Sequence, residues 1–340
     1  MAERKKQLHA ARTGVRIAVV GADSLLGREL RDQLNDWSPS PALELISATV
    51  DDAAVLDIEV SEEEPLALVP LNAQSLEGAK VAILAGTPAS SRRALKYNPA
   101  SGPVLIDLTG ALEDHPQARL RAPLVQGQAV HAPGIQVVAN AASSALAALY
   151  ITLAEHTIIR RSLAHIFEPA SERGKQGLNE LQQQTVAVLA FKKLKKEVFD
   201  AQLAFNVLAR VGEEALESTD SVEARIGRHL ASLLAAVPAI PMPSLRLVQA
   251  PVFHGFSISV WIEFARDPGT TRLERILGDG GFDIRTDDPP SNAGIAGQSE
   301  LSVGAIAQDP NQPNAYWMWL VADNVKWTVD NALAVVKEFL

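Results

Sequence analysis

Five short apolar runs in the first 140 residues restrict the fold more than any other feature of this chain. They are VRIAVV (15–20), LELISA (43–48), VAILAG (81–86), VLIDLTG (104–110) and IQVVAN (135–140). Each is rich in Val, Ile and Leu and carries almost no alternation, as strands covered on both faces do. The intervals between them are polar and helix-compatible. A chain that repeats strand and helix in this way builds an α/β fold, a Rossmann-type doubly wound parallel sheet.

From about residue 141 the pattern changes. Helices are expected at 143–156, 172–197 and 212–236, followed by long alternating runs at 244–265, 300–307 and 316–323. Such runs make a large mixed sheet in an α+β domain, one face covered by helices. Trp261, Tyr316, Trp317, Met318 and Trp319 put large groups on both faces of that sheet, so a homodimer is expected, with a loop at 266–299 as the alternative cover. The expected division is 1–140, completed by a C-terminal helix 326–340, and 141–325. The basic FKKLKK (191–196) reads as the solvated end of a long helix.

Composition narrows the function. A net charge of −9 argues against nucleic acid as partner. No apolar stretch spans a membrane, and the charged leader MAERKKQLHAARTG has no apolar core of a signal peptide, so a cytoplasmic protein is expected. With no Cys, disulfides, thiolate metal sites and thiol catalysis are all excluded, and the scattered His offer no metal spacing.

Two stretches carry the candidate chemistry. After the first strand, GADSLLGREL fits a phosphate-cradling GxxGxxG loop if Ser24 replaces its middle Gly, which brings in Gly21, Asp23, Leu25, Leu26 and Gly27. The segment SATVDD (47–52) offers Asp51 and Asp52 and no Arg, which favours NAD over NADP. In VVANAASSALA (137–147) a strand meets a helix whose first turn holds Ser143, where free N–H groups favour a nucleophile.

The order of VVGADSLLGREL, VLIDLTGALEDHP, GIQVVANAASSALA, FEPASERGKQGLNEL, PVFHGFS, LSVGAIAQD and WLVADNVKWTVDNALAV resembles the aspartate-semialdehyde dehydrogenase family along essentially the whole chain. The resemblance implies a Rossmann domain, a dimerisation domain and NADP-dependent reduction of aspartyl phosphate in amino-acid biosynthesis. It places Ser143 at the family's catalytic Cys and Phe256 at its general-base His. Glu168 stands at the substrate-orienting Gln, and Gln249 and Glu113 at the two substrate Arg positions. Val50 and Asp51 occupy the 2′-phosphate positions. Ser171 keeps its place near the nicotinamide, the following Gly becomes Glu172, and Asn324 remains at a cofactor position.

Three readings follow. The first is a family member that keeps fold and dimer surface without the dehydrogenase chemistry. The second is an NAD(P)-dependent oxidoreductase of another aldehyde or oxo group, using His254 or His165 as proton donor; strand alternation would put His254 on the same side as Phe256. The third is a Ser143-dependent hydrolase.

Overall fold

The computed structural model describes residues 14–48, 57–58, 66–127 and 134–340. The chain forms two compact units, Met1–Val138 with Val329–Leu340, and Ala139–Thr328. The protein is α/β, with one parallel and one mixed six-stranded sheet.

In the first unit the strands are β1 (Arg16–Val20), β2 (Ala42–Ile46), β3 (Val81–Leu84), β4 (Val104–Asp107), β5 (Ala118–Arg121) and β6 (Ile135–Val138). They lie in the order β2-β1-β3-β4-β6-β5, and every pairing is parallel. Apolar groups leave both faces. Ile17, Val19, Leu30 and Leu34 pack with Val329, Leu333 and Val336 on one side, and Ala18, Val20, Leu84, Ala94 and Leu105 form a second core on the other. Helices α1 (Leu25–Asn35) and α2 (Pro88–Tyr97) supply parts of these two layers. Strand order reverses between β1 and β3, and a crevice at the carboxyl ends of such strands is where doubly wound sheets bind ligands.

The second unit contains α3 (Ala141–Ala154), β7 (Ile159–Glu168), α4 (Gly174–Leu189), α5 (Thr219–Leu234), β8 (Ser244–Gln249), β9 (Phe256–Phe264), α6 (Thr270–Asp279), β10 (Asp283–Arg285), β11 (Ser302–Asp309) and β12 (Gln312–Ala322). The order is β8-β7-β9-β12-β11-β10, parallel at the two edges and antiparallel between. Ala164, Ile166, Ile258, Val260, Ile262, Met318 and Leu320 are buried on one face. Helix α3 touches this sheet and packs against α5 and α6, while α5 lies on β8. The last helix, α7 (Asn324–Phe339), begins in this unit and belongs to the first from Val329 onward.

Several sequence expectations change here. The run 244–265 is two strands, because Pro251 has no N–H for a ladder and Gly255 takes φ +83° at the turn between them. The expected helix 172–197 ends at Leu189, so the FKKLKK lysines lie in the following loop. That loop is held by two side chains of α4. Glu180 accepts the N–H groups of Glu197, Val198 and Phe199 at 2.6, 2.7 and 3.2 Å. Gln184 accepts from Leu203 and Ala204 and donates to the carbonyls of Lys195 and Ala201. Residues 266–299 fold into α6 and the edge strand β10, and α6 packs on α3. They are therefore not a loop over the open sheet face. That face carries Leu163, His165, Phe167, Trp261, Trp317 and Trp319 by strand register. The rings of Phe167 and Trp319 lie 5.8 Å apart, and Trp317 is 36% exposed.

Candidate functional site

The first unit builds a phosphate-type loop at the strand-order reversal. Gly21, at φ +81°, follows β1, and a Cβ there would stand 2.2 Å from Gly86 Cα after β3. A Cβ on Gly27 would stand 2.1 Å from the carbonyl oxygen of Gly21. Both glycines are required by the loop's own packing. Ser24 caps α1: its Oγ accepts the Gly27 N–H at 2.8 Å and donates to the carbonyl oxygen of Ala85 at 2.7 Å. The side chain therefore turns into the fold, and an approaching phosphate meets backbone rather than a hydroxymethyl group. The helix has no acceptor of its own for the N–H groups of Leu25 and Leu26, the first two in α1. Asp23 is half-buried beside them, and Leu26 packs on the core. The residues present fit a nucleotide's phosphates.

Asp51, Val50 and Asp52 lie outside the described residues. What the structure does show beyond β2 is Ser47 and Ala48, and a residue the sequence reading missed. Arg93 of α2 donates through Nη2 to the carbonyl oxygen of Ala48 at 2.7 Å. Glu113 sits in the turn after β4, where Asp107 accepts the N–H groups of Thr109 and Leu112.

The second unit gathers the other candidate positions at one end of the mixed sheet. Asn140 caps α3, its Oδ1 accepting from Ala142 and Ser143 at 2.9 and 3.4 Å. Ser143 is thus at the helix start, as its sequence context predicts. Its side chain is nevertheless 0% exposed, and its Oγ donates to the carbonyl oxygen of Ile226 in α5 at 3.0 Å. A nucleophile needs access and a base. The nearby imidazole, His229 one turn along α5, accepts the Asn140 N–H on Nδ1 at 3.0 Å. In its neutral form it then carries its proton on Nε2 and has no basic nitrogen left for a hydroxyl.

Glu168 ends β7, directly opposite Gln249 of β8. Instead of an open substrate face, a buried ion pair stands here. Arg173 donates to both carboxylate oxygens of Glu168 at 3.3 and 3.1 Å. Glu217 lies 3.9 Å from Arg173 and is held in turn by Arg225 through two hydrogen bonds. Burial pushes Glu168 up to about 7, against the lowering influence of Arg173. Burial also opposes the charge on Arg173, but the carboxylates of Glu168, Glu217 and Glu172 outweigh it and hold its pKa above the usual value. Gln249, 1% exposed, donates Nε2 to the backbone oxygen of Glu168 at 2.8 Å, and its Oε1 meets no donor among the described residues.

Phe256 is fully buried at the start of β9. Strand alternation does not extend to His254, because β9 begins at Phe256 and the left-handed Gly255 lies between them. His165 belongs to the open face, whereas Glu168, three residues on, faces the covered side; the two diverge across the sheet. Among the described residues neither imidazole hydrogen-bonds to the Glu168–Arg173 pair. Asn324 is engaged on both amide atoms. Its Oδ1 accepts from Ser171 Oγ at 3.1 Å and Gly255 N at 3.0 Å, and its Nδ2 donates to Glu172 at 2.8 Å. Burial raises the Glu172 pKa, and the Asn324 bond moderates it. Among the described residues no group of His, Asp and Glu is arranged to hold a metal ion, and no helix is long and apolar enough to cross a membrane.

Comparison with known proteins agrees with this architecture. Residues 153–327 match the family model described as semialdehyde dehydrogenase, dimerisation domain. A protein named USG-1 protein homolog from Pseudomonas aeruginosa is 28% identical over 91% of this chain and 93% of its own. An aspartate-semialdehyde dehydrogenase from Prochlorococcus marinus is 25% identical over 95% of each chain. The solved structure of a probable aspartate-semialdehyde dehydrogenase from Pseudomonas aeruginosa superimposes with a TM-score of 0.80 at 27% identity, covering 96% of this chain and 98% of that one. The family model covers a little more than half of the 340 residues, and the chain belongs to the semialdehyde dehydrogenase family.

Proposed function

We propose that this protein is a family member without the dehydrogenase chemistry, which retains nucleotide binding in its first unit and self-association through the open face of its mixed sheet. The observation that carries the reading is the state of Ser143: no thiol, no exposure, and a hydroxyl proton already given to Ile226. The neighbouring positions support it. Where the resemblance calls for side chains that grip an anionic substrate, Glu168 is spent on Arg173 and Gln249 on the β7 backbone. An acyl phosphate would meet carboxylates there. The same burial speaks against a Ser143 hydrolase, and the place of His165 on the open face speaks against its proton-donor role in an altered oxidoreductase.

A nicotinamide dinucleotide is the ligand that the Gly21–Gly27 loop supports. Asp51 and Asp52 favour NAD on charge. The dimer follows from Trp317, Trp319 and Phe167 on a sheet face that α3 and α5 do not cover. The deciding experiment is phosphate-dependent oxidation of aspartate semialdehyde, followed with NADP and with NAD. No turnover is expected from the protein or from Ser143→Cys, since Phe256, Gln249 and Glu113 still deny a base and anion anchors. Turnover that Ser143→Ala abolishes would overturn the reading.

A further inference from the structure

Helix α4 closes in a way that the fold itself does not ask for. Its C-terminus is a Schellman turn: the N–H of Phe191 donates to the carbonyl oxygen of Val188 at 3.2 Å, and that of Lys192 to the carbonyl oxygen of Ala187 at 2.8 Å. Such a turn needs a left-handed residue just beyond the cap, and glycine is the residue suited to it. Here the position is Phe191, at φ +53° and 98% exposed. A bulky side chain in that region is strained, and this ring gains almost no packing within the chain to offset the strain.

Phe191 does not stand alone. Val186 and Leu189, on the last turn of α4, share a face of the helix and are more than half exposed. Lys192, Lys193, Lys195 and Lys196 follow at once, and all four are exposed. Among the described residues none of their ammonium groups pairs with a carboxylate. In a chain of net charge −9 this is a concentrated patch of positive charge. It is also held in shape. Gln184 fixes the Lys195 carbonyl, Glu180 fixes the N–H of Glu197, and Val198 and Phe199 are buried just beyond. A patch already ordered in this way loses little freedom on binding.

Shape and charge together define the occupant. A ring exposed to this degree projects from the surface rather than lining a groove, so the partner must admit it. A lipid interface does so without a prepared pocket: apolar side chains enter the acyl boundary, lysine stems lie along it, and the ammonium groups stay among the head groups. Anionic head groups complement the four lysines, whereas charges of the chain more than about 8 Å from the bilayer are screened. We propose that the end of α4 docks reversibly on an anionic lipid surface, with Leu189 and Phe191 inserted and the four lysines on the head groups.

The test is co-sedimentation of the full chain with vesicles of phosphatidylcholine alone and of phosphatidylcholine with about a third phosphatidylglycerol. The mixed vesicles are expected to bind the protein at least about tenfold more strongly, with the advantage shrinking as salt rises. Phe191→Gly suits the left-handed position, so it is expected to leave thermal stability unchanged or higher while lowering partition about tenfold. Exchanging Lys192, Lys193, Lys195 and Lys196 together for Gln is expected to lower it by more than about a hundredfold. Equal binding to both vesicle types, or none to either, overturns the proposal. Loss in the lysine variant with full binding by Phe191→Gly would mean adsorption of charge without insertion, and it overturns the proposal too. If vesicles bind nothing and either variant changes the mass in light scattering, the proposal fails and the patch is a contact between copies.

Discussion

Arg121 of β5 and Glu338 of the last helix form a two-pronged ion pair, with Nη2 at 2.7 Å from each carboxylate oxygen and the Arg121 side chain 2% exposed. A second arm, Nη1, donates to Gln136 at 2.9 Å. The pair binds the C-terminal residues into the first unit at its edge strand, far along the chain from the β1 loop. Removing one partner strands a charge in a place where water cannot reach it. Glu338→Ala is therefore expected to cost about 3–5 kcal/mol. Replacing both partners by Leu and Met is expected to recover most of that loss. Urea unfolding of the three variants measures it.

Ser143→Cys gives the chain its only thiol. Because the position is sealed against α5, iodoacetamide should modify it only when the second unit opens, at least about 100-fold more slowly than the same chain in denaturant. Rapid labelling of the folded variant would show that the α3 start is accessible.

Glu168 gives stability a pH dependence with a definite sign. Its folded-state pKa, raised by burial from 4.5 to about 7, exceeds that of the unfolded chain, so the native state holds the proton more tightly. The contribution is complete below about pH 4.5 and is lost as pH rises toward about 7, at up to about 1.4 kcal/mol per unit. Denaturant midpoints across this window should fall in the unmodified protein and flatten in Glu168→Gln.

The open sheet face should be where copies meet. Trp319→Asp puts a carboxylate beside Phe167 and next to the exposed Trp317, and is expected to convert a dimer to a monomer in light scattering without loss of helical circular dichroism. An unchanged mass would move the interface elsewhere.

How legible each part was depended on whether its cause was local. Five of the six strands of the first unit stand out because most of their residues are apolar, whereas β5, ARLR, was not read from the sequence because Arg119 and Arg121 break up its pattern. Strand β7, IRRSLAHIFE, escaped notice because its open face contributes Arg161 and His165, which dilute the pattern of a central strand. Ser143 was correctly placed at a helix start, since Asn140 caps within three residues. Its burial was not legible, because the covering carbonyl belongs to Ile226, 83 residues away. Arg173 was visible in FEPASERG but its partner Glu217 arrives from beyond α4. Arg93 and His229 likewise take their meaning from contacts with Ala48 and Asn140 that only the tertiary fold creates.

The loop after α4 shows a different economy. Glu180 and Gln184 bond to main-chain N–H and carbonyl groups, which every residue except Pro supplies in full, so the bonds are indifferent to what the loop's side chains are. The exposed Lys195, Lys196 and Glu197 are thereby free to change while the loop keeps one shape, which rests on two positions in a neighbouring helix and on the buried Val198, Phe199, Leu203 and Ala204. A surface that must change its partner without changing its backbone is well served by being hung in this way.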